Sequence, residues 1–123
     1  MVAPFAESAA SVRTLDPATE HAVRAFLHRL PATYKLREAR VYGSRARGTN
    51  RPDSDVDLAL VLENSDHERW KTVVELAALA FHVQMDTGVM IEALPLRPEE
   101  FDGVSHFPNP ALIETIRREG VRM

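Results

Sequence analysis

The chain has 123 residues, the length of one domain with room for a modest single core, and its 45% apolar and 27% charged residues exclude a disordered or fibrous protein. With 18 acidic against 15 basic residues the net charge is -3, so the broad basic footprint that holds proteins on duplex nucleic acid is missing and direct nucleic-acid binding is not expected. The lack of cysteine excludes disulfides, zinc-thiolate sites and thiol nucleophiles; the runs Leu58–Leu62 and Leu76–Phe81 are too short to cross a bilayer, Met1–Val12 has neither part of a secretory leader, and a cytoplasmic protein without membrane contact is expected.

Residues 1–14, rich in Ala and Ser without helical periodicity, read as a flexible N-terminal tail, which leaves 15–123 as a single domain. Asp16 before Pro17 predicts a helix start, Val23, Phe26, Leu27 and Leu30 recur at helical spacing, and Pro31 stops the run. A short strand is predicted over Ala39–Tyr42, ending in Gly43, then one or two helical turns and the polar loop Thr49–Ser54. Asp55–Leu62 reads as a second strand, continuously apolar after Leu58.

Ser65 with Glu68 three residues on predicts a capping box opening the longest helix. That helix carries Trp70, Val73, Val74, Ala77, Phe81 and Met85 on one face, read as core, and ends at Gly88. A third strand is predicted over Val89–Leu94, with Pro95 marking its end or a sheet edge. The last helix is capped by Asn109, starts at Pro110, turns Leu112, Ile113 and Ile116 inward and stops at Gly120. The short link between the first two strands predicts an antiparallel pair, and the long helix before the third permits a parallel crossover. The expected fold class is therefore α/β (α+β), a small mixed sheet with helices packed mainly on one face.

Asp55 and Asp57 lie two apart on a strand, so their side chains share a face with α carbons roughly 6 to 7 Å apart. Alone, such a pair is equally well two solvated acids at a strand start. Magnesium takes oxygen ligands of this kind, with water and substrate phosphates completing its shell. Gly43 and Ser44 end the first strand just before a helical turn, where backbone N–H groups receive a phosphate and glycine removes a blocking side chain. Antiparallel pairing brings that turn beside the aspartates. Arg45 and Arg51 are candidates to contact triphosphate oxygens, and Arg47 to brace the loop against nearby acids.

Gly43-Ser44, ten residues, then Asp55-Val56-Asp57 resembles the signature of the DNA-polymerase-beta-like nucleotidyltransferase superfamily. The flanks Gly43-Ser-Arg-Ala-Arg-Gly48 and Ser54-Asp-Val-Asp-Leu58 resemble its minimal nucleotidyltransferase branch. The resemblance implies the polymerase-beta-like nucleotidyltransferase fold and a magnesium-dependent transfer of AMP from ATP to a hydroxyl, with two Mg2+ ions. Asp55 and Asp57 would hold the metal, and Gly43 and Ser44 the phosphates. The superfamily carries a third carboxylate on the next strand, as metal ligand and base, for which the candidate here is Glu92; without that role it is a polar residue on an edge strand. Glu63 lies about 20 Å along the strand from Asp57, and Asp86 sits at a helix end.

Larger members bind the acceptor with an extra domain for which 123 residues leave no room, so another polypeptide is expected to complete the site. The minimal branch implies a helical HEPN-domain toxin as partner, with this chain as the antitoxin that adenylylates a tyrosine on it. Two other readings stay open: a nucleotide-binding module that inhibits its partner by occlusion without chemistry, and a dimeric nucleotidyltransferase acting on a small molecule.

Overall fold

The computed structural model describes residues 14–63, 68–103 and 106–123. The expected tail, except Thr14, and Ser65 of the expected capping box lie outside the described residues. The order of elements is α1 (Pro17–His28), β1 (Leu36–Tyr42), α2 (Ser44–Arg47), β2 (Val56–Leu62), α3 (Arg69–Thr87), β3 (Ile91–Leu96), α4 (Pro98–Phe101), α5 (Pro110–Glu119) and β4 (Val121–Arg122).

The sheet has the order β3-β2-β1-β4. β1 pairs antiparallel with β2 and with β4, while β2 and β3 run parallel across the α3 crossover. The sheet is thus mixed, as expected from the short link between β1 and β2 and the long crossover before β3.

Helix α1 starts where its sequence says. The Asp16 carboxylate accepts from the Thr19 backbone N–H at 2.9 Å and its hydroxyl at 2.8 Å, and Pro17 takes the first helical position, where no N–H is missed. Ala22, Val23 and Phe26 of this helix, and Leu76, Ala80 and Val83 of α3, bury themselves on Val41, Val56, Leu58, Leu60 and Leu62. On the other face of the sheet Ala59, Val61 and Leu96 meet Phe101 of α4 with Ile113 and Ile116 of α5. The two long helices therefore cover one face, and two shorter ones cover part of the other.

Four elements differ from expectation. β1 begins at Leu36, because Leu36 finds Leu62 across the ladder through a bulge that alternation alone does not reveal. β3 runs Ile91–Leu96 with Pro95 inside it; β3 is an edge strand, so the missing N–H interrupts no ladder on its outer side. The short pieces α4 and β4 were not anticipated. β4 spans two residues, too few for a periodic signal, yet it closes the other side of β1, with the Met123 N–H donating to the Ala39 carbonyl at 2.9 Å.

A further difference concerns α3. It starts at Arg69 with Glu68 as its N-cap, so Glu68 does not occupy the third helical position of a capping box. The stripe expected in the core does share one face, but Trp70, Val73, Val74, Phe81 and Met85 are exposed, and the buried face is Thr72, Leu76, Ala80 and Val83. Both faces are apolar, and the sheet takes the slimmer one, whose smaller side chains allow the helix to lie close against the strands.

Candidate functional site

The carboxylates gather where β1 ends and β2 and β3 begin. In the ladders Tyr42 stands opposite Asp57, and Asp57 opposite Glu92. Side chains alternate along β2: Val56, Leu58 and Leu60 face α1 and α3, so Asp57 points to the opposite face with Ala59 and Val61. Tyr42, Asp57 and Glu92 thus form a row across three strands on one face of the sheet. Asp55, exposed, precedes β2 by one residue, and the Val56 N–H fixes this end to β3 by donating to the Met90 carbonyl at 2.8 Å.

Gly43 is required here for a reason the sequence did not show. Its φ of 77° and ψ of -155° belong to a region essentially reserved for glycine, and a β carbon on it would lie 2.4 Å from Asp57 Oδ2. The bare α carbon therefore makes room for the Asp57 carboxylate itself, in the strand opposite. Ser44 then opens α2, where the Ala46 and Arg47 N–H groups both donate to the Gly43 carbonyl at 3.1 Å; Gly43 offers this turn no side-chain cap.

The electrostatics show a cluster short of positive charge. Asp57 is half-buried, and its carboxyl is pushed above the usual range, first by burial and then by Glu92 and Asp55; Arg47 opposes the shift. Tyr42 is pushed up to about 12 by burial and by the charges on Asp57 and Glu92. Among the described residues no three His, Asp or Glu side chains converge tightly enough to enclose an ion as they stand. Oxygen donors sharing one face, with a surplus of negative charge on a half-buried member, fit a hard divalent cation.

The arginines divide differently from expectation. Arg45 turns inward and is 4% exposed. Its Nε donates to the Ser54 carbonyl at 3.0 Å, its Nη2 to Pro52 and Ser54 carbonyls at 3.1 and 2.7 Å, and its Nη1 to Thr19 Oγ1 at 2.9 Å. This corrects the assignment of Arg45 to triphosphate oxygens: the guanidinium is spent on loop carbonyls, and it ties the residues leading into Asp55 to the first turn of α1. Arg47 carries out the bracing expected of it, pairing with Glu119 of α5 at 2.9 Å while lowering the Asp57 carboxyl. The Arg51 guanidinium is exposed and has no partner among the described residues. Glu63 faces Lys35 at the far end of β2, and Asp86 on α3 pairs with Arg29 at the end of α1, so neither acid joins the cluster.

No curated protein matches the sequence significantly. A solved structure described as a crystal structure of a toxin-antitoxin with AMP-PNP superimposes with a TM-score of 0.54 over 85% of this chain and 70% of that one, at 17% identity, a likeness that concerns the fold alone. No described helix is long and apolar enough to cross a membrane. Finally, the family model for the nucleotidyltransferase domain matches residues 23–119, from α1 through α5 and the whole carboxylate edge. The chain belongs to the nucleotidyltransferase domain family.

Proposed function

We propose that the chain transfers AMP from ATP to a hydroxyl on a partner protein, releasing pyrophosphate, with Asp55, Asp57 and Glu92 as its catalytic carboxylates. The observation that carries this reading is the register: Asp57 stands opposite Glu92 in the next strand, and Gly43 is pressed against its carboxylate. Magnesium held by Asp55, Asp57 and Glu92 would supply neutralisation of charge on the phosphate oxygens. The residues of the chain do the rest. N–H groups at Gly43 and Ser44 receive phosphate oxygens, and the exposed Arg51 and the Arg47 guanidinium add positive charge. Glu92 takes the proton of the acceptor hydroxyl as its oxygen bonds to the α-phosphorus, and the bond from that phosphorus to the bridging oxygen breaks as pyrophosphate departs.

The acceptor we favour is a tyrosine of a helical HEPN-domain toxin, this chain being the antitoxin. Support comes from the Gly43–Asp57 motif and from a structural neighbour that is a toxin-antitoxin bearing an ATP analogue. A second reading, nucleotide binding with inhibition by occlusion, draws on the carboxylates, which are gathered on one face but not converged. The two separate in one experiment: the chain, a co-purified toxin, magnesium and ATP labelled at the α-phosphate. The enzyme reading expects label on the toxin that disappears with Asp57→Asn; inhibition of the toxin without label contradicts it and favours occlusion.

A further inference from the structure

Helix α3 is apolar on two sides. The inner side, Thr72, Leu76, Ala80 and Val83, is buried on the sheet. At about 100° per residue, Trp70, Val74, Ala77, Phe81 and Met85 form a second stripe centred roughly 150° around the helix from the first. Trp70 is 60%, Val74 61%, Phe81 56% and Met85 70% exposed. The stripe runs about 22 Å along the helix. With Val73 at its margin it exposes on the order of 600 Å² of side chain, close to the ~800 Å² each partner brings to a standard interface. Monomeric proteins rarely leave a contiguous apolar patch of this size without a use for it.

We propose that this face is an isologous interface, with α3 packed antiparallel on α3 of a second copy of the chain across a two-fold axis near Ala77 and Ala78. The pattern of the stripe is what points to a second copy. A two-fold across the helix places residues equidistant from the axis opposite one another. Trp70 then meets Met85 of the second copy and Val74 meets Phe81, while the small Ala77 and Ala78 lie at the crossing, where they let the backbones approach. In the single chain Lys71 lies over the Trp70 ring at 5.6 Å, while Asp86 holds Arg29 and Glu75 accepts from the Tyr34 hydroxyl, so these acids are engaged toward the body of the chain and leave the outward stripe apolar. Because α3 covers the sheet face opposite Asp57 and Glu92, such a dimer leaves both carboxylate edges open, and the inference stands apart from the proposed chemistry.

The chain has no cysteine, so single cysteines report the geometry cleanly. The full chain is first sized by sedimentation over a micromolar concentration series, where a species of twice 13.8 kDa is expected and Phe81→Lys, with an unchanged far-UV spectrum, is expected to return it to the monomer. Under mild oxidation Ala77→Cys, next to the axis, is expected to cross-link to itself. Met85→Cys is not, its two copies being about 22 Å apart in the antiparallel arrangement. A monomer throughout the series overturns the proposal, as does a dimer indifferent to Phe81→Lys. Efficient cross-linking of Met85→Cys overturns the antiparallel arrangement. If the chain is monomeric and Phe81→Lys abolishes binding to the toxin instead, the face belongs to a partner of different chemistry.

Discussion

One face of β2 turns Val56, Leu58, Leu60 and Leu62 into a continuous apolar layer under α1 and α3, and the other holds Asp57 under the charges of Glu92 and Asp55, which Arg47 offsets in part. On the first face propensity, periodicity and burial agree, and each fully buried leucine contributes about 1.5–3 kcal/mol. On the second, local rules are broken together: a backbone only glycine tolerates, a carboxylate pushed above its usual range, and a tyrosine pushed up to about 12. A sheet that is well packed on one side can hold a strained and like-charged arrangement on the other.

That contrast can be broken or sharpened by substitution. The largest effect is expected for Leu60→Ala, which empties a site that is 0% exposed and should cost about 2–5 kcal/mol in denaturant unfolding, with activity per folded molecule unchanged. Arg45→Met comes next. It leaves the Pro52 and Ser54 carbonyls without their donor and should cost about 2–4 kcal/mol, lowering transfer activity as well, since the segment leading into Asp55 loosens. Gly43→Ala should cost about 1–3 kcal/mol, yet its loss of activity should exceed that of either other variant, because the new methyl displaces the Asp57 carboxylate. Activity that survives Gly43→Ala would dissolve the contrast.

The smallest effect has the opposite sign. Asp57→Asn removes a charge the fold must strain to keep and should stabilise the free protein at neutral pH by about 0.5–1 kcal/mol, discounted for a carboxylate that is only half-buried. The folded-state carboxyl lies above its unfolded value of 3.8. The penalty for charging it is therefore fully present above the raised folded value and vanishes below 3.8, and the stability difference between variant and wild type should shrink to nothing as pH falls through that window. Asp16 runs the other way. Its carboxyl is held low, chiefly by the Thr19 N–H, so its contribution is present above 3.8 and lost on further acidification. Thermal scans from pH 3 to 7 distinguish the two signs.

The sequence foretold the helix ends and the strand pairing more completely than the contacts at the site. Asp16, Pro17, Asn109, Pro110 and Gly88 mark helix ends by chemistry local to a few residues, and all of them stand where they were expected. The antiparallel and parallel pairings followed from connection length alone. At the site, Asp55, Asp57, Gly43 and Ser44 stood out by spacing, but two features depend on contacts between distant residues. Arg45 faces inward because Thr19, 26 residues earlier, offers a hydroxyl beside the Pro52 and Ser54 carbonyls, and no local pattern distinguishes it from Arg47. Gly43 needs to be glycine because of Asp57 across the ladder. The α3 stripe was misjudged for a related reason: periodicity identifies an apolar face without saying which body covers it, and here a second apolar face competed for the sheet.

If Asp55, Asp57 and Glu92 form one site for metal and triphosphate, as proposed, the site can be counted directly by titrating the protein with Mn2+ in place of magnesium, in the presence of a non-hydrolysable ATP analogue, and reading bound ions by electron paramagnetic resonance. Two ions are expected in the wild type, one fewer with Glu92→Gln, and none with Asp57→Asn in a protein that remains folded. Binding that is unchanged in Asp57→Asn would contradict the proposal.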